Sequence, residues 1–122
     1  MYQSERRALN HWERLFESCD RIETSFAAHN SLPVIDGQVL IWSSPHHVNE
    51  NLIGRVEAQV KGRSVQKFVP HIYLRRKDIV AMQQSGGVLL LVVQFLETDV
   101  DERAAYFRML VERVSGSLCV RL

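Results

Sequence analysis

Cysteine is scarce: Cys19 and Cys119 lie near opposite ends of the chain and in no paired spacing. That excludes a disulfide framework and a cysteine zinc site, so both thiols are expected to be reduced and structural. Long hydrophobic runs are missing too. The longest, Val88-Leu-Leu-Leu-Val-Val93, is far shorter than the roughly 20 apolar residues of a membrane span, which excludes a transmembrane helix there. The first residues, Met1-Tyr-Gln-Ser-Glu-Arg-Arg7, carry charge where a secretory signal carries an apolar stretch, so a cytoplasmic protein is expected. No glycine-rich phosphate loop is present. Ser43-Ser44 and Cys19 lack a neighbouring base pattern, which argues against nucleophilic catalysis. The chain has no internal repeat, low-complexity tract or linker.

What is present suits one folded unit. With 122 residues, 46% of them hydrophobic, the chain can bury one core, and a single domain over 1–122 is expected. The formal net charge of +1 hides an uneven distribution. Residues 1–54 hold four basic and seven acidic side chains, net −3. Residues 55–77 hold Arg55, Lys61, Arg63, Lys67, Arg75, Arg76 and Lys77 against Glu57 alone, net +6. A solvated face explains part of such a cluster; a phosphate backbone is the functional alternative.

Leu9, Trp12, Phe16 and Cys19 recur at three- and four-residue spacing, which predicts an amphipathic helix over about 4–18 with Ser4 able to cap it. Residues 21–29 alternate as a strand, with Ile22, Thr24, Phe26 and Ala28 on one side. Val34–Ser43 and Ile53–Ser64, rich in β-branched and aromatic residues, predict a hairpin with a long tip. A short strand is expected over 68–74 and a helix over 75–84, ended by Gly86-Gly87. Val88–Leu96 reads as a strand covered on both faces, as at the centre of a mixed sheet. Residues 101–114 show helical spacing and predict a final helix, followed by an edge strand over 117–122. The resulting class is α/β, a mixed central β-sheet flanked by helices.

Chemistry is concentrated in Arg55-Val-Glu-Ala-Gln-Val-Lys-Gly62. On a strand Glu57, Gln59 and Lys61 share one face, with successive Cα atoms about 6.6–6.8 Å apart, while Val56, Ala58 and Val60 point into the core. Asp36 precedes Gly37 on the strand before it, and a hairpin register can place Asp36 beside Gln59. Gly37 leaves room for a close-approaching group. A carboxylate and a lysine meeting over one site suit metal-assisted hydrolysis. Asp36, with Glu57 in support, would ligate Mg²⁺ or Mn²⁺, Gln59 would offer a carbonyl oxygen, and Lys61 would orient the attacking water.

Pro33-x-x-Asp36-Gly37 followed by Asn51-Leu-Ile-Gly-Arg-x-x-x-Gln59-Val-Lys-Gly62 resembles the D…(E/Q)xK signature of PD-(D/E)xK nucleases. The likeness is to the Mrr-like and DUF4365-type branches, where Gln commonly replaces the Glu. Gly86–Val93 and Ala105-Tyr-Phe-Arg-Met-Leu110 are similar to that family's hydrophobic strand and the segment after it. The resemblance implies a restriction-endonuclease-like core and a Mg²⁺-dependent DNA endonuclease. It further implies the N-terminal effector domain of a larger antiviral defence protein, beside a sensor or NTPase module. It also implies a glutamate from the first helix, matched here by Glu5 with Glu13 as competitor. Double-stranded DNA is the expected partner, contacted by Arg63, Lys67, Arg75, Arg76 and Lys77, with a homodimer for cutting both strands. The alternative is a degenerate nuclease fold that binds DNA or protein without cutting. A purely structural domain leaves the +6 segment unexplained.

The remaining candidates have plainer readings. His46-His47 is expected to decorate an exposed hairpin tip rather than hold a metal. His11, His29 and His71 are read as surface or satisfied core residues. Trp12 and Trp42 are read as packing anchors rather than base-stacking platforms.

Overall fold

The computed structural model describes residues 3–26, 37–84, 87–99, 101–110 and 119–121. The chain begins with helix α1 (Gln3–Glu17), then strands β1 (Ile22–Phe26), β2 (Gly37–Trp42) and β3 (Leu52–Val65). A short strand β4 (His71–Tyr73), helix α2 (Arg76–Gln84) and strands β5 (Val88–Leu96), β6 (Arg103–Leu110) and β7 (Cys119–Arg121) follow. Five strands form one sheet in the order β1-β2-β3-β5-β6, and β4 pairs with β7 in a separate two-stranded sheet. The large sheet is mixed, since β3 and β5 run parallel while its other neighbours are antiparallel. A parallel pair needs a crossover, and the segment carrying β4 and α2 supplies it.

The two faces of the sheet bury separate cores. On one, Ala8 and Trp12 of α1 pack against Val39, Ala58, Val60, Leu91, Val93 and Phe95. On the other, Ile72 of β4, Leu74 just after it and Ile79 of α2 cover Val88, Leu90, Val92 and Leu110. β5 is therefore buried on both sides, as its unbroken apolar run requires. It lies second from the edge; β3 is the middle strand.

Helix α1 forms where the periodicity puts it, with Trp12 and Phe16 stacked one turn apart at 5.7 Å. Ser4 lies inside the helix rather than capping it, and its hydroxyl donates to the Gly62 carbonyl at 3.5 Å. Cys19 falls beyond the helix as a free, exposed thiol, so it does not fill the structural role expected of it. Gly62 is where α1 crosses β3: a Cβ there would collide with the Ser4 carbonyl and come within 2.8 Å of the Glu5 amide nitrogen. Backbone atoms cannot swing aside as a side-chain tip can. Gly62→Ala should therefore push the helix off the sheet and cost about 1–3 kcal/mol, read as an earlier urea midpoint. An unchanged midpoint would mean that α1 docks elsewhere.

The final helix expected over 101–114 is not formed; Arg103–Leu110 is strand β6, antiparallel to β5 from Val88↔Leu110 to Phe95↔Arg103. Asp99 closes the connection, its carboxylate accepting from the Asp101 amide and its carbonyl from the Glu102 amide, both at 3.1 Å. That turn returns the chain along the open edge of β5, where pairing satisfies the backbone of both strands. Ala104, Tyr106 and Leu110 face one way. The exposed side carries Ala105, Phe107 and Met109, and apolar residues on both sides erase the period-2 signal and leave a helical spacing by coincidence.

Candidate active site

Strand β3 holds Glu57, Gln59 and Lys61 on one face, as the spacing predicts, with Ala58 and Val60 buried on the other against α1. The face follows from register: Gln59 pairs with Leu90 and Lys61 with Val92, and both partners belong to the core beneath β4 and α2. Gln59 is only 5% exposed. Its Oε1, and the Oε2 of Glu57 one position along the same face, are buried and accept no hydrogen bond among the described residues. Buried polar atoms almost always find a partner, so two acceptors orphaned side by side require an explanation. Lys61 is half-buried beside them.

Asp36 lies outside the described residues. Its chain neighbour Gly37 opens β2 and pairs with Ala58, the chain neighbour of Gln59. The room left by Gly37 is taken by β1, because a Cβ would meet the Ser25 carbonyl and Phe26. Glu5, in the first turn of α1, has its Oε1 3.8 Å from Arg63 Nη1. Arg63 Nη1 also donates to the Gly62 carbonyl at 2.9 Å. Arg63 is thus engaged by the helix start, while Lys67, Arg75, Arg76 and Lys77 are exposed. Glu13 sits farther along α1 and is half-buried. Among the described residues no three His, Cys, Asp or Glu side chains gather as a metal centre.

Trp12 and Trp42 are buried and anchor packing. His47 is more than tip decoration: its ring stacks on Trp42 at 4.7 Å and its Nε2 donates to the Asp20 carbonyl at 2.6 Å, tying the β2–β3 connection to the turn before β1. His71 meets Tyr73 edge-on at 5.6 Å, and His29 lies outside the described residues. A residue that sequence reasoning missed is Gln94, 2% exposed on β5. Its amide clasps one residue from both sides, accepting from the Val69 nitrogen at 3.0 Å and donating to the Val69 carbonyl at 2.8 Å. A lone polar residue inside an apolar run was the available signal. Among the described residues no helix is long and apolar enough to cross a membrane. No family model, curated protein or solved structure matches the chain.

Proposed function

We propose that this chain is a metal-dependent endodeoxyribonuclease of the PD-(D/E)xK kind, hydrolysing phosphodiester bonds of double-stranded DNA. In this reading it works in the cytoplasm as the cutting domain of an antiviral defence protein, and as a homodimer when both strands are cut. The observation that carries it is the pair of orphaned buried oxygens, Glu57 Oε2 and Gln59 Oε1, on the face that also bears Lys61. A hard divalent cation selects oxygen donors, so a carboxylate and an amide carbonyl lacking partners fit Mg²⁺ or Mn²⁺. Glu57, Gln59 and Asp36 would hold it. When bound, the ion supplies Lewis-acid polarisation of a phosphoryl oxygen and a more acidic water. Lys61 orients the attacking water and offsets the charge that develops on the phosphate oxygens.

The basic residues add to this. Arg76 and Lys77 open α2, with Arg75 just before it. A helix N-terminus already carries positive partial charge, so cations there are unfavourably placed for stability and favourably placed for phosphate. α2 covers the same face of the sheet that bears Gln59 and Lys61. Replacing Arg75, Arg76 and Lys77 together with glutamine should weaken binding to all duplex sequences alike and lower the salt slope by about 2–3, measured by anisotropy in EDTA. An unchanged slope would identify the cluster as a solvated face.

A second reading, a degenerate fold that binds without cutting, is favoured by one observation: Gln59 is neutral where a second carboxylate would strengthen the metal site. Supercoiled plasmid incubated with the chain and Mg²⁺, Mn²⁺ or EDTA separates the two. Nicked or linear product with metal and none with EDTA supports the nuclease. Binding without product in either metal favours the binding module.

A further inference from the structure

On the opposite face of the sheet, Arg7, Asn10, His11 and Arg14 of α1 and Arg103 of β6 line a cleft of about 400 Å³. The helical residues fall at positions i, i+3, i+4 and i+7, one stripe of α1. Three guanidiniums enter a single concavity whose wall includes no carboxylate among the described residues. Two of them are held in place: Arg7 lies over the Phe95 ring at 4.4 Å and Arg103 over the same ring at 5.2 Å. Phe95 is 1% exposed, so it is a fixed anchor for both guanidiniums at the cleft. Cation–π contact offsets part of the repulsion among the cleft's like charges, and an anion bound in the cleft removes more. Donors already held in place lose less freedom on binding, which favours a ligand with several acceptor oxygens.

We propose that this cleft is a phosphate-binding site, separate from the polar face of β3, for a ligand presenting two or more negative charges. Guanidinium forks match phosphate oxygens in pairs, and Asn10 and His11 add neutral N–H donors. The volume admits a diphosphate or a nucleotide-sized group. Burial and, after it, the nearby Arg103 charge lower the His11 pKa below its ordinary 6.5. The imidazole is therefore mainly neutral at pH 7 and donates from one nitrogen. The cations lining the cleft with it are Arg7 and Arg14 from α1 and Arg103 from β6. A bound anion opposes their effect and raises the His11 pKa. The same phosphate chemistry is offered by a free nucleotide or by a nucleic-acid backbone.

The test is calorimetric titration of the whole chain with sodium pyrophosphate in EDTA, at ionic strength held constant with NaCl. Saturable one-site binding is expected, weakened at least tenfold by Arg14→Gln and by Arg103→Gln but not by Arg21→Gln, an exposed arginine outside the cleft. Arg14 is exposed as well, so its variant should melt as the parent does. The His11 ring-proton titration should move to higher pH when pyrophosphate saturates. Displacement of pyrophosphate by a DNA duplex assigns the site to a nucleic-acid backbone, and displacement by ATP alone to a free nucleotide; either upholds it. Non-saturable heats, or equal affinity for the parent and a normally folded Arg14→Gln protein, overturn it. Because the assay needs no metal and no cleavage, its outcome is independent of the nuclease reading.

Discussion

Lys61→Ala should abolish the proposed metal-dependent plasmid cleavage while leaving the melting temperature close to that of the parent, and Asp36→Ala should abolish it likewise. Removing a group that positions water or neutralises charge in the transition state typically lowers a rate by about 10²–10⁴-fold, enough to take nicking below detection. Lys61 is half-buried and belongs to neither hydrophobic core, so its truncation forfeits little packing. DNA affinity in EDTA should persist, because the contacts assigned to Lys67 and to Arg75–Lys77 stay in place. Three measurements on one variant separate the readings. Normal cutting by Lys61→Ala sinks the assignment of the site. An early melt makes Lys61 a structural residue. Lost binding together with lost cutting makes it a DNA contact rather than a group that acts on water.

The sheet was legible wherever residue pattern and burial agree. β3 and β5 show the two regimes: alternation of Glu57, Gln59 and Lys61 with Ala58 and Val60 marks a strand with one polar face, and unbroken Val88–Val93 marks one covered on both sides. β6 was not legible because its outer face keeps Ala105, Phe107 and Met109, so the choice between helix and strand fell to the open edge of β5, a non-local partner. The polar face of β3 was readable from spacing, but the burial of Gln59 was not. It depends on the crossover segment folding over Leu90 and Val92. The cleft beside Phe95 was hidden for the same reason, since Arg103 reaches α1 only through the pairing of β6 with β5. His47 docks on Trp42 through a connection whose length carries no signal in its residues.

Leu91→Ala should be the most destabilising of these substitutions, with a fall in melting temperature of about 6–25 °C. Leu91 is 1% exposed and packs in the core formed with α1, among Val60, Val93, Phe95, Ala8 and Trp12. Its backbone is fixed from both sides, opposite Val60 on β3 and Phe107 on β6, so the surroundings cannot collapse into the space that truncation leaves. A buried leucine cut to alanine in a rigid site costs about 2–5 kcal/mol, from lost transfer energy and an unfilled cavity together. A domain of this size has roughly 5–15 kcal/mol in all, and each kcal/mol moves the midpoint by roughly 3–5 °C. Lys61→Ala supplies the reference on the neighbouring strand: it should lose cleavage and keep its melt, whereas Leu91→Ala at a temperature below its own midpoint should keep cleavage and lose stability. A Leu91→Ala melt within about 2 °C of the parent would mean that β5 is not the strand on which both cores are built.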